Sequence, residues 1–259
     1  MRLIVRRLLS CLALYMALLG ASWADTVPLH ACGADPAWPP SAFARAGRDG
    51  VSGIAVDVLK AAFQGTHYSV DVHLVPLARC MAEVRLGQRY QIAIGAIGAD
   101  THYHGLLLTS GYLALTPAYY FLRRDFPHGI QLREPSDLRL LKLCGLAGYS
   151  YAPFTLKPNE IDAGSADIDS VLAKLRLNRC DLFPEYLEVH AGYAQQLVRP
   201  HGWSELSGGL VPKLAKTNAR YLVSRNREDA DDIAQLIDAK LAVMQRSGTL
   251  RTMQRAYLK

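Results

Sequence analysis

The strongest constraint on the fold of this 259-residue chain is an alternation of apolar periods that runs once and then starts again. Val27 to Ala31 is an apolar run ending in Cys32-Gly33, as a buried first strand does. Asp35-Pro36-Ala37-Trp38-Pro39-Pro40 is loop, because three prolines break any strand ladder. From Gly53 to Phe63 the period lengthens to that of a helix, with Val56, Leu59, Ala62 and Phe63 on one face and Gly65 beyond its end. Tyr68 to Val75 returns to a period of two, with Val70, Val72 and Leu74 on one side and Ser69, Asp71 and His73 on the other. Pro76 to Leu86 reads as a second helix closed by Gly87, and Gln91 to Ile97 as another buried strand. Strands alternating with helices imply βαβ units and a largely parallel sheet.

The pattern restarts in the middle of the chain. Leu140 to Leu146 reads as an apolar strand, Asp169 to Leu177 as a helix with Val171, Leu172 and Leu175 inward, and Cys180 to Phe183 as the next short strand. Thr116 to Leu122, extended and aromatic-rich, suits a crossover between the two halves. The helix from Glu228 carries an inward stripe of Ile233, Leu236, Ile237, Leu241 and Met244, with acids in its first turn, Arg246 in its last and Gly248 as its stop.

The N-terminus reads as an export signal. Arg2, Arg6 and Arg7 precede an apolar run from Leu8 to Gly20, and Ser22-Trp23-Ala24 puts small residues where a signal peptidase reads them. Residues 1–24 are therefore expected to be removed after Ala24, leaving a soluble periplasmic chain that starts at Asp25. Leu8-Leu9-Ser10-Cys11 resembles a lipoprotein box only superficially, since a cut there would strand most of the apolar run. Cleavage after Ala24 removes three arginines and no acid, so the formal charge falls from +6 to +3. So mild a balance argues against a nucleic-acid partner.

Cys32, Cys80, Cys144 and Cys180 remain after that cut, an even number in an oxidising compartment. Two disulfides are expected, and three connectivities are open. No Cys-x-x-Cys pair exists, so a zinc site is not expected. His102 and His104 flank one loop, but two ligands are too few, and they read as surface histidines.

Taken in order, these segments resemble the bacterial family 3 extracellular solute-binding proteins, best known for uptake of polar amino acids. The resemblance spans essentially the whole mature chain. Trp38-Pro39-Pro40 sits where the family has an aromatic followed by prolines, and Gly53-Ile54-Ala55-Val56-Asp57-Val58 matches its helix start. Arg79 to Gln91 resembles its helix, glycine and strand passage, and Thr109-Ser110-Gly111-Tyr112 its segment before the crossover. Asn178-Arg179-Cys180-Asp181 resembles a turn of the second lobe, and Gly248-Thr249 a pair in the closing helix.

The resemblance implies an α/β, two-lobed, type II periplasmic binding protein fold with two hinge crossovers and a mostly parallel sheet in each lobe. Lobe 1 would be residues 25–118 and 221–259, and lobe 2 residues 119–220. It pairs Cys32 with Cys80 inside lobe 1 and Cys144 with Cys180 inside lobe 2, so that neither bridge locks the hinge. Each would contribute roughly 4 kcal/mol in the chain-entropy description.

The resemblance also implies a monomer that captures a small polar solute between the lobes for an inner-membrane ABC permease or a sensor kinase, without a cofactor or metal. An enzyme on the same scaffold, similar to the periplasmic cyclohexadienyl dehydratases, is the alternative. It needs a carboxylate-binding arginine and a positioned acid, and no nucleophile elbow or catalytic carboxylate pair is seen, so no catalytic residue is assigned.

The ligand site departs from the family pattern. Thr101-His102-Tyr103 occupies the segment that supplies the carboxylate-clamping arginine, with Tyr103 in its place. Tyr186, beside Glu185, occupies the position of the acid that grips the ligand amine, and Gln91 stands where an aspartate is usual. A standard α-amino acid is therefore not the expected ligand. The expected ligand-binding set is Trp38, Arg79 as a substitute cation, Tyr103, Tyr112, the backbone at Gly148, Tyr149 and Ser150, and Glu185.

Overall fold

A computed structural model describes residues 26–35, 37–44, 50–98, 103–195 and 202–258. The export signal, the cut after Ala24 and His102 lie outside the described residues.

The first sheet is built from β1 (Val27–Asp35), β4 (Tyr68–Pro76), β5 (Ile92–Ala96), β6 (Leu106–Leu115) and β12 (Thr217–Ser224), in the order β4-β1-β5-β12-β6. β1 runs parallel to both β4 and β5, whereas β12 is antiparallel to β5 and β6. The short strands β2 (Phe43–Ala44) and β3 (Val51–Ser52) form a hairpin beside it. Helix α1 (Ile54–Phe63) buries residues nearly all round, among them Ile54, Val58, Leu59 and Phe63, because it lies between the sheet and α5 (Ala230–Ser247). The other face of the sheet is covered by α2 (Leu77–Leu86), whose Cys80 and Val84 pack with Cys32, Ala93 and Leu222. The last helix is α6 (Thr249–Tyr257), entered through left-handed Gly248.

A second set of strands lies between the two parts of the first. β7 (Pro117–Leu122) is the middle strand of a three-stranded antiparallel sheet, between β10 (Phe183–Tyr186) and β11 (Leu206–Leu210). β8 (Cys144–Leu146) pairs parallel with β9 (Asp162–Ser165), and a parallel bridge from Leu143 to Leu182 joins them to the β10 side. The combined order β9-β8-β10-β7-β11 repeats β4-β1-β5-β12-β6. In each, a strand from the other end of the segment is inserted antiparallel beside the third parallel strand. Helix α3 (Ile168–Arg176) is capped by Asp167, whose carboxylate accepts from the Ser170 N–H at 2.7 Å, and buries Ile168, Val171, Leu172 and Leu175. Helix α4 (Leu187–Gln195) continues directly from β10.

The chain passes from one sheet to the other at Thr116, which Glu188 of α4 fixes by accepting from its N–H at 2.7 Å and its hydroxyl at 2.8 Å. Cys32–Cys80 and Cys144–Cys180 are both bonded, each with Cα atoms 5.7 Å apart and each within one sheet's own layers.

Several elements differ from the sequence reading. Leu140 closes a 3-10 turn, Pro135–Leu140, and only Cys144–Leu146 is strand, because Leu140 is solvent-exposed. The strand expected at Cys180–Phe183 begins at Phe183, since Cys180 is held by its disulfide before the ladder starts. The crossover at Thr116–Leu122 is itself a fully buried strand, β7.

Candidate functional site

The site forms where the C-terminal ends of the parallel strands of both sheets face each other, as the topology of open α/β sheets favours. From the first sheet come the end of β1, the loop carrying Trp38, the end of β5 and the first turns of α2. From the second come the turn after β8 and the end of β10. Together they enclose a cavity of about 260 Å³.

The Trp38 loop is held from below. Trp38 N–H donates to the Ala42 carbonyl, and the N–H groups of Ser41 and Ala42 both return to the Trp38 carbonyl. The Pro40 and Ser41 carbonyls accept from Ile54 and Ala55, two amides of the first turn of α1 that have no partner inside the helix. Gly53 makes this junction possible: its φ is 137°, and a Cβ there would lie 2.1 Å from the Ser41 carbonyl oxygen. Ser41 Oγ is 2.5 Å from the Tyr112 hydroxyl. The indole of Trp38 then lies over Gly95 of β5, where a Cβ would come within 3.3 Å of the ring. Trp38 is 5% exposed, and its Nε1 has no hydrogen-bond partner.

The opposite wall is aromatic. Tyr151 lies inside the turn after β8, its hydroxyl accepting from Leu146 N–H at 2.8 Å. Phe154 joins it to Tyr186, with ring centroids 6.2 and 5.1 Å apart. Glu185 is buried at the end of β10, and its Oε1 accepts one bond, from the Tyr186 N–H at 2.8 Å. Burial pushes its carboxyl up to about 8, against the lowering effect of that amide. The Tyr186 hydroxyl is buried and has no partner.

Six of the eight residues expected from sequence line the cavity: Trp38, Tyr103, Gly148, Tyr149, Ser150 and Glu185. Tyr103 does so as a brace. Its hydroxyl donates to the Ile97 carbonyl at 2.8 Å and accepts from the Ile97 N–H at 2.9 Å, tying down the end of β5. The other two lie elsewhere. Tyr112 is fully buried in the core against Tyr221, 4.7 Å between centroids, and acts through Ser41 beneath the Trp38 loop. Arg79 faces outward on α2 with its side chain 53% exposed, 3.8 Å from Glu83, because the period that places Leu77 and Met81 on the cavity turns position 79 away. Among the described residues the only basic side chain lining the cavity is Arg85, exposed at its edge.

The sequence reading missed Ser41, Leu77, Met81, Tyr151 and Phe154 as lining residues, and it placed Tyr186 only as a substitute. Tyr151 was legible as a strand-end neighbour of Gly148; the others carry no local signal.

No protein-family model and no curated protein sequence matches the chain. Solved structures do. A substrate-binding protein of an amino acid ABC transporter superposes with a TM-score of 0.69 at 12% identity, covering 89% of this chain and 98% of that one. A histidine kinase sensor domain with similarity to periplasmic binding proteins gives 0.70 at 16%, over 90% and 97%. A structure from work on glutathione import in Gram-positive bacteria through GshT and the cystine ABC importer TcyBC of Streptococcus mutans gives 0.71 at 14%, over 90% and 95%. At such identities the likeness establishes the fold: two α/β lobes of the type II periplasmic binding protein class.

Proposed function

We propose that the chain is an exported solute-binding protein that closes two lobes, residues 25–118 with 221–259 and residues 119–220, around a small organic amine lacking a carboxylate. It would work in the periplasm after cleavage behind Ala24 and deliver its ligand to an inner-membrane ABC permease.

The observation that carries this reading is Glu185, a buried carboxyl with one hydrogen bond, facing a cavity walled by aromatic rings and, among the described residues, without an inward arginine. A cationic nitrogen seated there gains a charge-assisted bond of about 1.5–3 kcal/mol and the π faces of Tyr151, Tyr186 or Trp38, worth up to about 2 kcal/mol when desolvated. An α-carboxylate meets the opposite: a desolvated carboxyl and aromatic faces, with no bidentate partner among the described lining residues. Trp38 Nε1–H and the Tyr186 hydroxyl are then free to serve a neutral acceptor on the ligand.

The test is calorimetry of the mature protein with matched pairs that differ by one carboxylate: tyramine and tyrosine, histamine and histidine, agmatine and arginine. The amine of at least one pair should bind ten- to a hundredfold more tightly than its amino acid, the interval that a lost charge-assisted contact sets. An amino acid that outcompetes its amine would refute the amine, and a protein that binds none of a broad solute panel would refute solute capture itself. A sensor subunit that presents the same ligand to a membrane kinase is the second reading, supported by the likeness to the histidine kinase sensor domain. Uptake of labelled ligand by cells with and without the protein separates the two.

A further inference from the structure

We infer that His30, Asp71 and His73 form a divalent transition-metal site on the first sheet, remote from the ligand cavity, taking Zn²⁺ or an ion of similar softness through two imidazoles and one carboxylate. Backbone pairing puts these three residues together. His30 lies opposite Asp71 in the parallel pair of β1 and β4, and the strand period of two brings His73 to the same face. One ligand atom from each lies within 4.8 Å of the other two.

The cluster is oriented as well as close. Asp71 Oδ1 accepts from Val72 N–H at 2.9 Å, which leaves Oδ2 turned towards His73 Nε2 at 2.8 Å. The His73 ring lies beside those of His30 and Tyr90, with centroids 6.1 and 5.8 Å away. The main chain at His30 is fixed by the Gln91 side chain, whose Oε1 accepts its N–H at 2.8 Å. Two residues further along, Cys32 is opposite His73 and is tied to α2 through Cys80. Such outer contacts orient metal-binding side chains and raise affinity.

An ion with bonds of about 2.0–2.2 Å in tetrahedral geometry needs its ligand atoms about 3.3 Å apart. Rotamer adjustment of exposed Asp71 and His73, whose side chains are 66% and 46% accessible, reaches that without moving a strand. Two nitrogens and one oxygen suit Zn²⁺, Co²⁺, Ni²⁺ and Cu²⁺ rather than Mg²⁺ or Ca²⁺, and they leave a coordination position for water or a fourth ligand. The site lies on the first half of β1, whereas the solute cavity takes Gly33 and Ala34 from its end, so the two are independent.

The experiment is titration of Zn²⁺ into the untagged mature protein with both disulfides intact, followed by calorimetry and, with Co²⁺, by visible absorption. One ion per chain is expected. His30→Gln, Asp71→Asn and His73→Gln should each lower affinity at least tenfold, while Glu185→Gln and His104→Gln leave it unchanged. Circular dichroism confirms that the variants are folded, and Zn²⁺ should raise the melting temperature of the parent but not of His73→Gln. Saturable binding that survives His73→Gln, binding lost with His104→Gln instead, or no one-to-one binding at all would overturn the site.

Discussion

Glu185 should make the ligand-free protein less stable as the pH rises, and Glu185→Gln should abolish that loss. Burial raises the carboxyl from its ordinary 4.5 to about 8 in the folded chain. The folded state therefore holds a proton that the unfolded state releases above pH 4.5. Stability from this group is complete below that value, declines through the interval and is lost above pH 8. A shift of about 3.5 units at about 1.4 kcal/mol each sets a ceiling of about 5 kcal/mol. Opening of the lobes gives the carboxylate access to water, so the observable should fall to about 1–3 kcal/mol, the usual penalty of a poorly partnered buried group.

The neighbouring tyrosines titrate above this window, and the opposite slope that His190 adds between its lowered folded value and its ordinary 6.5 is shared by both proteins and cancels in their difference. Tyr120, Tyr149, Tyr151, Tyr186 and Tyr193 all have hydroxyls raised by burial, and His190 is lowered by burial to about 4. Glutamine keeps the shape and still accepts the Tyr186 N–H. Urea unfolding of the two proteins between pH 5 and 9, read as midpoints at constant m-value, measures the difference. The curves should coincide near pH 5 and separate by about 1–3 kcal/mol near pH 9, with the glutamine variant more stable. Parallel pH profiles would refute the assignment of a neutral, buried Glu185.

Gly192 of α4 packs against the Trp38 loop so closely that a Cβ would lie 2.6 Å from Pro40 N and 2.7 Å from the Pro39 carbonyl carbon. Gly192→Ala should therefore weaken solute binding at least tenfold while leaving the unfolding midpoint of the ligand-free protein nearly unchanged; an unaltered affinity by calorimetry would refute closure at this contact. Tyr103→Phe removes both hydrogen bonds to Ile97 and should cost about 1–2 kcal/mol of stability in urea unfolding, with any change in affinity smaller than that of Glu185→Gln. Arg79→Ala should change affinity less than twofold, because the side chain points to solvent; a tenfold loss would place it in the site.

The sequence revealed the repeating strand and helix periods because each buried face carries its own apolar stripe. The helix over Gly53–Phe63 and the stripe from Ile233 to Met244 are both present as read. β6, β11 and β12 escaped notice: Leu106–Leu115 is half-buried along its length, and Leu206–Leu210 contains two glycines, so neither shows a clean alternation. β12 is inserted between β5 and β6 from more than a hundred residues away, a pairing that no local pattern announces. For the site, loop chemistry pointed to Trp38 and the turn at Gly148, and adjacency to Tyr186 pointed to Glu185. Arg79 failed because a helix face cannot be assigned from two neighbouring residues alone. Tyr103 lines the cavity, but the two bonds that occupy its hydroxyl come from backbone geometry that composition does not encode.

On the proposed function, closure of the lobes is the step in which these local devices would become a binding mechanism. Each lobe is stapled within itself, and among the contacts that join them the Tyr193 hydroxyl donates to the Ala37 carbonyl at 2.8 Å and Gly192 packs on Pro39 and Pro40. Against these, the closed form buries a carboxyl at Glu185 and leaves Trp38 Nε1 and the Tyr186 hydroxyl without partners. Unpartnered buried groups cost about 1–3 kcal/mol each, so the empty protein is biased towards opening. A ligand reverses that bias only by interacting better with the closed form than with the open one. On the proposed reading, a cation at Glu185, an acceptor for Trp38 and Tyr186, and an apolar body for the aromatic wall would each act only once the lobes meet. On that reading, the groups that make the empty closed state unfavourable would also be the ones that select its ligand.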